Sequence, residues 1–68
     1  MLINLSFNGR VMTVPAGTTI QRLLELAEIR SQLVAVERNL EIIPREQHAE
    51  CQVAENDTIE AVTLVGGG

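Results

Sequence analysis

LINLSFNGRVMTVPAGTTIQRLLELA, from Leu2 to Ala27, decides the fold. Leu2 to Phe7 alternates, with Ile3, Leu5 and Phe7 on one side and Asn4 and Ser6 on the other, the period of a half-buried strand. Asn8-Gly9 supplies the positive φ angles of a tight two-residue turn, so Val11 to Val14 is predicted to return antiparallel beside the first strand. Pro15-Ala16-Gly17 ends it. The period then changes. Thr18-Thr19-Ile20-Gln21 reads as a helix start, in which a threonine hydroxyl accepts from an exposed backbone N–H and Gln21 reaches back as in a capping box. Ile20, Leu23, Leu24 and Ala27 follow at i, i+3, i+4 and i+7, while Gln21, Arg22, Glu25 and Glu28 point away. That is a helix with one apolar stripe for a sheet, predicted to fade by about Arg30.

Beyond it, Leu33 to Glu37 is a strand candidate apolar on both parities, Arg38-Asn39 a turn, and Glu41 to Ile43 a short strand closed by Pro44. From Arg45 to Glu55 the periodicity is weak, with Cys51 and Val53 as the inward residues, and Glu55-Asn56-Asp57 is a turn. Thr58 to Val65 is a last strand rich in β-branched residues. The order is therefore strand, strand, helix, strand, short strand, strand. A helical crossover after a hairpin lets the first and last strands lie parallel at the centre of one sheet. This predicts an α+β chain of the β-grasp, or ubiquitin-like, class: a mixed four- to five-stranded sheet with one helix across one face. Residues 1–65 form the domain and residues 66–68 a flexible glycine tail.

Composition narrows what such a domain can do. A chain of 68 residues buries only about 60% of the surface it exposes when unfolded, so the core is small. It is aliphatic, because Phe7 is the only aromatic ring. A single cysteine, Cys51, cannot close an internal disulfide, and no basic-then-apolar leader precedes the first strand, which together predict a cytoplasmic protein. No apolar run approaches the roughly 20 residues of a membrane span, so no membrane partner is expected. There is no lysine, which removes Schiff-base chemistry and side-chain conjugation onto this chain. A net charge of -4 and a pI near 4.7 disfavour nucleic acid as a partner. The acids concentrate in residues 37–60, a segment whose simplest reading is a solvated face; a partner meeting it would be basic.

Side chains offer little chemistry. His48 and Cys51 could be imagined as a base and nucleophile or half a metal site, but no third orienting group or further ligand is evident. They read as a surface histidine and a small buried thiol, and no catalytic or metal-ligating residue is assigned. Gly9 and Gly17 are isolated turn residues, so no phosphate-cradling loop is present. What remains is the end, TLVGGG, from Thr63 to Gly68. Without Cβ atoms, such a tail can thread a narrow channel and present its terminal carbonyl unhindered. The last strand is apolar on both parities, Ile59, Ala61, Thr63 and Val65 on one and Val62 and Leu64 on the other. One helix covers only one face of the sheet. Ile59 and Ala61 are therefore assigned to the core, and Val62 and Leu64 to a possible partner surface.

Val34-Ala35-Val36-Glu37-Arg38-Asn39, Ile42-Ile43-Pro44-Arg45-Glu46-Gln47-His48-Ala49, Asn56-Asp57-Thr58-Ile59-Glu60 and Val65-Gly66-Gly67-Gly68 together resemble the ThiS family of thiamine-biosynthesis sulfur carriers. The resemblance covers essentially the whole chain. Leu40 stands where many members have glycine, and Asn56 where a turn glycine is common. The resemblance implies that a ubiquitin-activating-type enzyme adenylates the Gly68 carboxylate with ATP and Mg²⁺, both used by that partner and not held by this chain. Sulfur from a persulfide-bearing enzyme then displaces AMP, leaving a thiocarboxylate on Gly68 that thiazole synthase consumes. Gly66 and Gly67 are the tether in the partner's channel. On this reading the chain is a carrier and co-substrate, not an enzyme. Two alternatives stand beside it: a related β-grasp sulfur carrier, such as the molybdopterin synthase small subunit or a tRNA-thiolation modifier, and a β-grasp binding module with an incidental tail.

Overall fold

The computed structural model describes residues 1–30 and 33–64. Val65 and the expected tail, Gly66 to Gly68, lie outside the described residues. β1 (Leu2–Phe7) and β2 (Arg10–Pro15) form the expected hairpin, with Ile3 opposite Val14 and Leu5 opposite Met12. β2 extends one residue beyond the predicted strand at each end. Asn8 and Gly9 have φ of 50° and 84°, both positive, which matches the strand twist across a two-residue turn.

β3 (Val34–Arg38), β4 (Glu41–Ile43) and β5 (Thr58–Thr63) complete a five-stranded sheet in the order β2-β1-β5-β3-β4. β5 runs parallel to β1, with Phe7 beside Ile59, and antiparallel to β3, with Val36 opposite Ala61. The first and last strands are thus the central pair, as a crossover connection requires. Helix α1 (Ile20–Leu26) lays Ile20, Leu23 and Leu24 onto one sheet face, where they join Leu5, Val14, Val36 and Ile59 in the core. The other sheet face carries no helix among the described residues.

Both ends of α1 differ from the sequence reading. Thr19 is the N-cap, and its hydroxyl accepts from the Arg22 N–H. The position three residues on is therefore Arg22, not Gln21, and no capping box forms. Thr18 instead turns its hydroxyl back to donate to the Pro15 carbonyl at 2.6 Å. The helix stops at Leu26 and not near Arg30, because Glu28 adopts φ of 60°. Its N–H donates to the Glu25 carbonyl and the Ile29 N–H to the Leu24 carbonyl, at 3.0 and 2.9 Å. These two bonds are those of a Schellman C-cap, with glutamate in the place that glycine usually takes. The early reversal lets Ile29 pack against the core.

The β3–β4 turn is also displaced by one residue. Asn39 and Leu40, not Arg38 and Asn39, occupy its centre, with φ of 53° and 71°. A left-handed conformation crowds the leucine Cβ against the backbone, and Leu40 recovers little by packing because it is 87% exposed. Leu40→Gly is therefore expected to stabilise the domain by about 0.5–1 kcal/mol, net of the extra unfolded-state entropy of glycine. Thermal unfolding should shift upward by about 2–8 °C. An unchanged or lower midpoint would show that the turn is not strained at Leu40.

Candidate functional site at the end of the central strand

β5 is the element that leads toward the glycines, and side chains hold its backbone at its start and at Ala61. At the start, the Asp57 carboxylate accepts from the Ala54 N–H at 2.7 Å and from the Asn39 amide at 3.1 Å, and pairs with the Arg38 guanidinium at 2.9 Å. Asn39 in turn accepts from the Thr58 N–H and donates its own backbone N–H to the Thr58 carbonyl. Asp57 is buried, so each of these bonds replaces water that the carboxylate has lost. Further along, β1 has already ended when β5 reaches Ala61. The Asn8 side chain takes over as a substitute strand: its carbonyl accepts from the Ala61 N–H at 2.8 Å and its amide donates to the Ala61 carbonyl at 3.3 Å. Sequence reasoning missed this second task of Asn8, since Asn-Gly is fully explained by the turn alone.

Along β5 the side chains alternate. Ile59 and Ala61 are 0% and 9% exposed against the core, whereas Val62 and Leu64 are 60% and 57% exposed. Thr63 shares the parity of the buried pair but is itself exposed. On the face away from α1, Val62 lies opposite Ala35, Glu60 opposite Glu37, and Glu37 opposite Ile42. Ile42 is 64% exposed. This face therefore joins apolar groups to two carboxylates, and would be matched by an apolar surface with a basic rim. Leu64 is tied to the sheet by its N–H, which donates to the Leu33 carbonyl at 2.6 Å. Gly66, Gly67 and Gly68, the tether and the proposed reacting residue, lie outside the described residues.

His48 corrects the sequence reading. It is buried, not a surface residue, with its Nε2 at 3.1 Å from the Ile43 carbonyl and, among the described residues, no partner for its Nδ1. The cause is the path of residues 45–53. A 3-10 turn over Arg45–Gln47 folds this segment beneath the start of α1, where the Gln21, Ile20 and Val53 N–H groups donate to the His48, Cys51 and Thr18 carbonyls. Val53 is buried as expected, but Cys51 is only half-buried and its sulfur meets the Arg38 guanidinium at 3.4 Å. His48 and Cys51 thus have separate partners and form no common site. Among the described residues, no three His, Cys, Asp or Glu side chains gather as metal ligands, and no helix is long and apolar enough to cross a membrane.

Residues 5–68 match the ThiS family. The sulfur carrier protein ThiS of Bacillus subtilis is 42% identical over 65 residues, which cover 94% of this chain and 98% of that relative. A thiazole synthase of Paramagnetospirillum magneticum is 39% identical over 66 residues, 97% of this chain but 20% of that protein, so the chain spans about a fifth of this relative's length. Among solved structures, the crystal structure of the thiamine biosynthesis protein ThiS from Geobacter metallireducens superimposes with a TM-score of 0.82 at 30% identity, covering 97% of this chain and 100% of that one.

Proposed function

Because the chain belongs to the ThiS family, we propose that it is a sulfur carrier for thiamine biosynthesis, loaded and unloaded at the main-chain carboxylate of Gly68. The observation that carries this reading is the near-complete match to a small sulfur carrier, 98% of whose length this chain covers. A carboxylate is a poor acyl donor until one oxygen belongs to a good leaving group. An adenylating enzyme of the ubiquitin-activating type supplies that group, transferring AMP from ATP with Mg²⁺ and releasing pyrophosphate. The terminal sulfur of a cysteine persulfide on the donor enzyme then attacks the acyl carbon and AMP leaves, giving an acyl disulfide; a thiol attacks the donor cysteine's sulfur, the two are oxidised together to a disulfide, and the thiocarboxylate is released on Gly68. The thiocarboxylate is the nucleophile that thiazole synthase uses for ring formation.

The chain's own contribution is position. β5 is central and pinned at Thr58 by Asn39 and at Ala61 by Asn8. A tail that starts from it has a fixed origin, which raises the effective concentration of Gly68 at a partner's site. Gly66 and Gly67 serve as the narrow tether, and Val62 and Leu64 as the contact surface of the domain. The chain thus acts as a co-substrate of other enzymes in the cytoplasm and needs no cofactor of its own. The thiazole synthase relative, part of which is similar to this chain, supports thiazole synthase as the sulfur acceptor.

Incubation with the activating enzyme, ATP, Mg²⁺, a persulfide donor and a thiol reductant is expected to raise the intact mass by about 16 Da, the exchange of one oxygen for sulfur. An unchanged mass under conditions that convert the B. subtilis relative would refute the proposal.

A further inference from the structure

The last residues of β5 belong to a narrower sheet than the rest of the strand. β1 pairs with β5 only as far as Ile59, and β4 pairs with β3 only as far as Val36, which stands opposite Ala61. Beyond those points the register continues on two strands alone, Ala35 opposite Val62 and Val34 opposite Thr63, and closes with the Leu64 N–H donating to the Leu33 carbonyl. Two strands without a third are marginal in water. Val62, Thr63 and Leu64 are all exposed, so packing of their side chains holds them little. Among the described residues, the only hydrogen bonds to the β1-facing side of β5 beyond Ile59 come from the Asn8 side chain. The Asn8 backbone N–H donates to the Ile59 carbonyl at 2.9 Å, and its side chain holds both the N–H and the C=O of Ala61. Three bonds from one residue thus bracket the point where β5 loses its neighbour on that side.

We propose that Asn8 is a positioning residue for the reaction at Gly68: its side chain braces the two-stranded end of the sheet, so that the tail departs from a fixed point. This rests on the carrier reading given above, and Asn8 acts in it through Ala61. Four residues follow Leu64, and nine follow Ile59. Without the brace, the free tether lengthens from the first count toward the second. Effective concentration falls as about the 3/2 power of tether length, which is a loss of about threefold over that range. The loss of a fixed direction adds to it. The hairpin itself does not require this side chain, because residue 8 has φ of 50°, which glycine adopts without strain, and Gly-Gly is also a favoured turn pair. The bonds to Ala61 can therefore be removed while the turn is kept.

Asn8→Gly makes that separation. Asn8→Asp keeps an acceptor for the Ala61 N–H but loses the donor to its carbonyl, and Val14→Ala opens the core from β2, which does not pair with β5. Adenylation of each full chain is followed by pyrophosphate release, at a temperature where all four proteins are folded, with the activating enzyme of the same organism raised to saturating excess. Asn8→Gly is expected to lower the saturated rate about threefold or more, with half-saturation within about twofold of the parent. Asn8→Asp is expected to lie between, and Val14→Ala to keep the parent rate although it is less stable. Hydrogen exchange at the Leu64 amide, whose own partner Leu33 is untouched, is expected to quicken about fivefold or more in Asn8→Gly. If Asn8→Gly does not fold, Asn8→Asp carries both comparisons. A saturated rate within about twofold of the parent, equal slowing in Val14→Ala, a change confined to half-saturation, or an unchanged Leu64 amide would overturn the proposal. A parent chain that releases no pyrophosphate and never gains about 16 Da would refute the carrier reading instead, and the Leu64 exchange then decides the brace by itself.

Discussion

A chain lacking Gly67 and Gly68 is expected to lose sulfur transfer entirely while unfolding within about 2 °C of the parent. The loss follows from the proposed chemistry: the acyl group to be activated is the carboxylate of Gly68, and a chain ending at Gly66 falls about 7 Å short of the reacting position. Small displacements of a reacting group already cost large factors in rate, so a shortfall of this size leaves no productive geometry. The unchanged stability follows from the absence of any side chain on these two residues and from the small contribution of chain ends to folding. Single-turnover transfer and a thermal melt on the same sample check both parts. A truncated chain that unfolds would make the tail structural. A truncated chain that still transfers sulfur would move the chemistry elsewhere. A binding module with an incidental tail would instead keep its partner affinity after the deletion and show no transfer in the parent.

Asp57→Ala, the truncation of a buried carboxylate, is expected to cost about 2–3 kcal/mol and to lower the unfolding midpoint by about 10–20 °C. The carboxylate serves three donors at once: the Ala54 N–H, the Asn39 amide and the Arg38 guanidinium. Its removal leaves these groups short of partners in a region where Asp57 itself is 6% exposed. The Arg38 side chain is 29% exposed, so water compensates part of that loss and holds the cost below the range for a fully buried pair. Asp57→Asn should retain an acceptor for the Ala54 N–H and cost less. Urea unfolding of the three proteins measures the series; an Asp57→Ala change below about 0.5 kcal/mol would show that the network only accompanies the fold.

The central sheet was readable from residues 2–27 because three local signals agree there. Period-two alternation, an Asn-Gly turn and a change to helical spacing mark the hairpin and the helix, and the β-branched run from Thr58 adds the last strand that a crossover places parallel to β1. Helix length was not readable, since Glu28 takes a left-handed conformation usually marked by glycine. Residues 45–53 carry no period because their order comes from bonds to the start of α1, and so His48 looked like a surface residue. The Arg38–Asp57–Asn39 cluster joins residues far apart in sequence, with no local pattern to announce it. The site divides in the same way. The exposure of Val62 and Leu64 follows from one helix covering one sheet face, whereas the part proposed for Gly68 comes from family resemblance and its chemistry.

The state of Gly68 in the cell tests the carrier proposal most directly. The C-terminal peptide of the chain, isolated from its own cells under conditions that preserve thioacids and measured by mass spectrometry, is predicted to end at Gly68 in two forms about 16 Da apart, carboxylate and thiocarboxylate. A terminus found only as carboxylate in cells actively making thiazole, or only in amide linkage to other proteins, would contradict it.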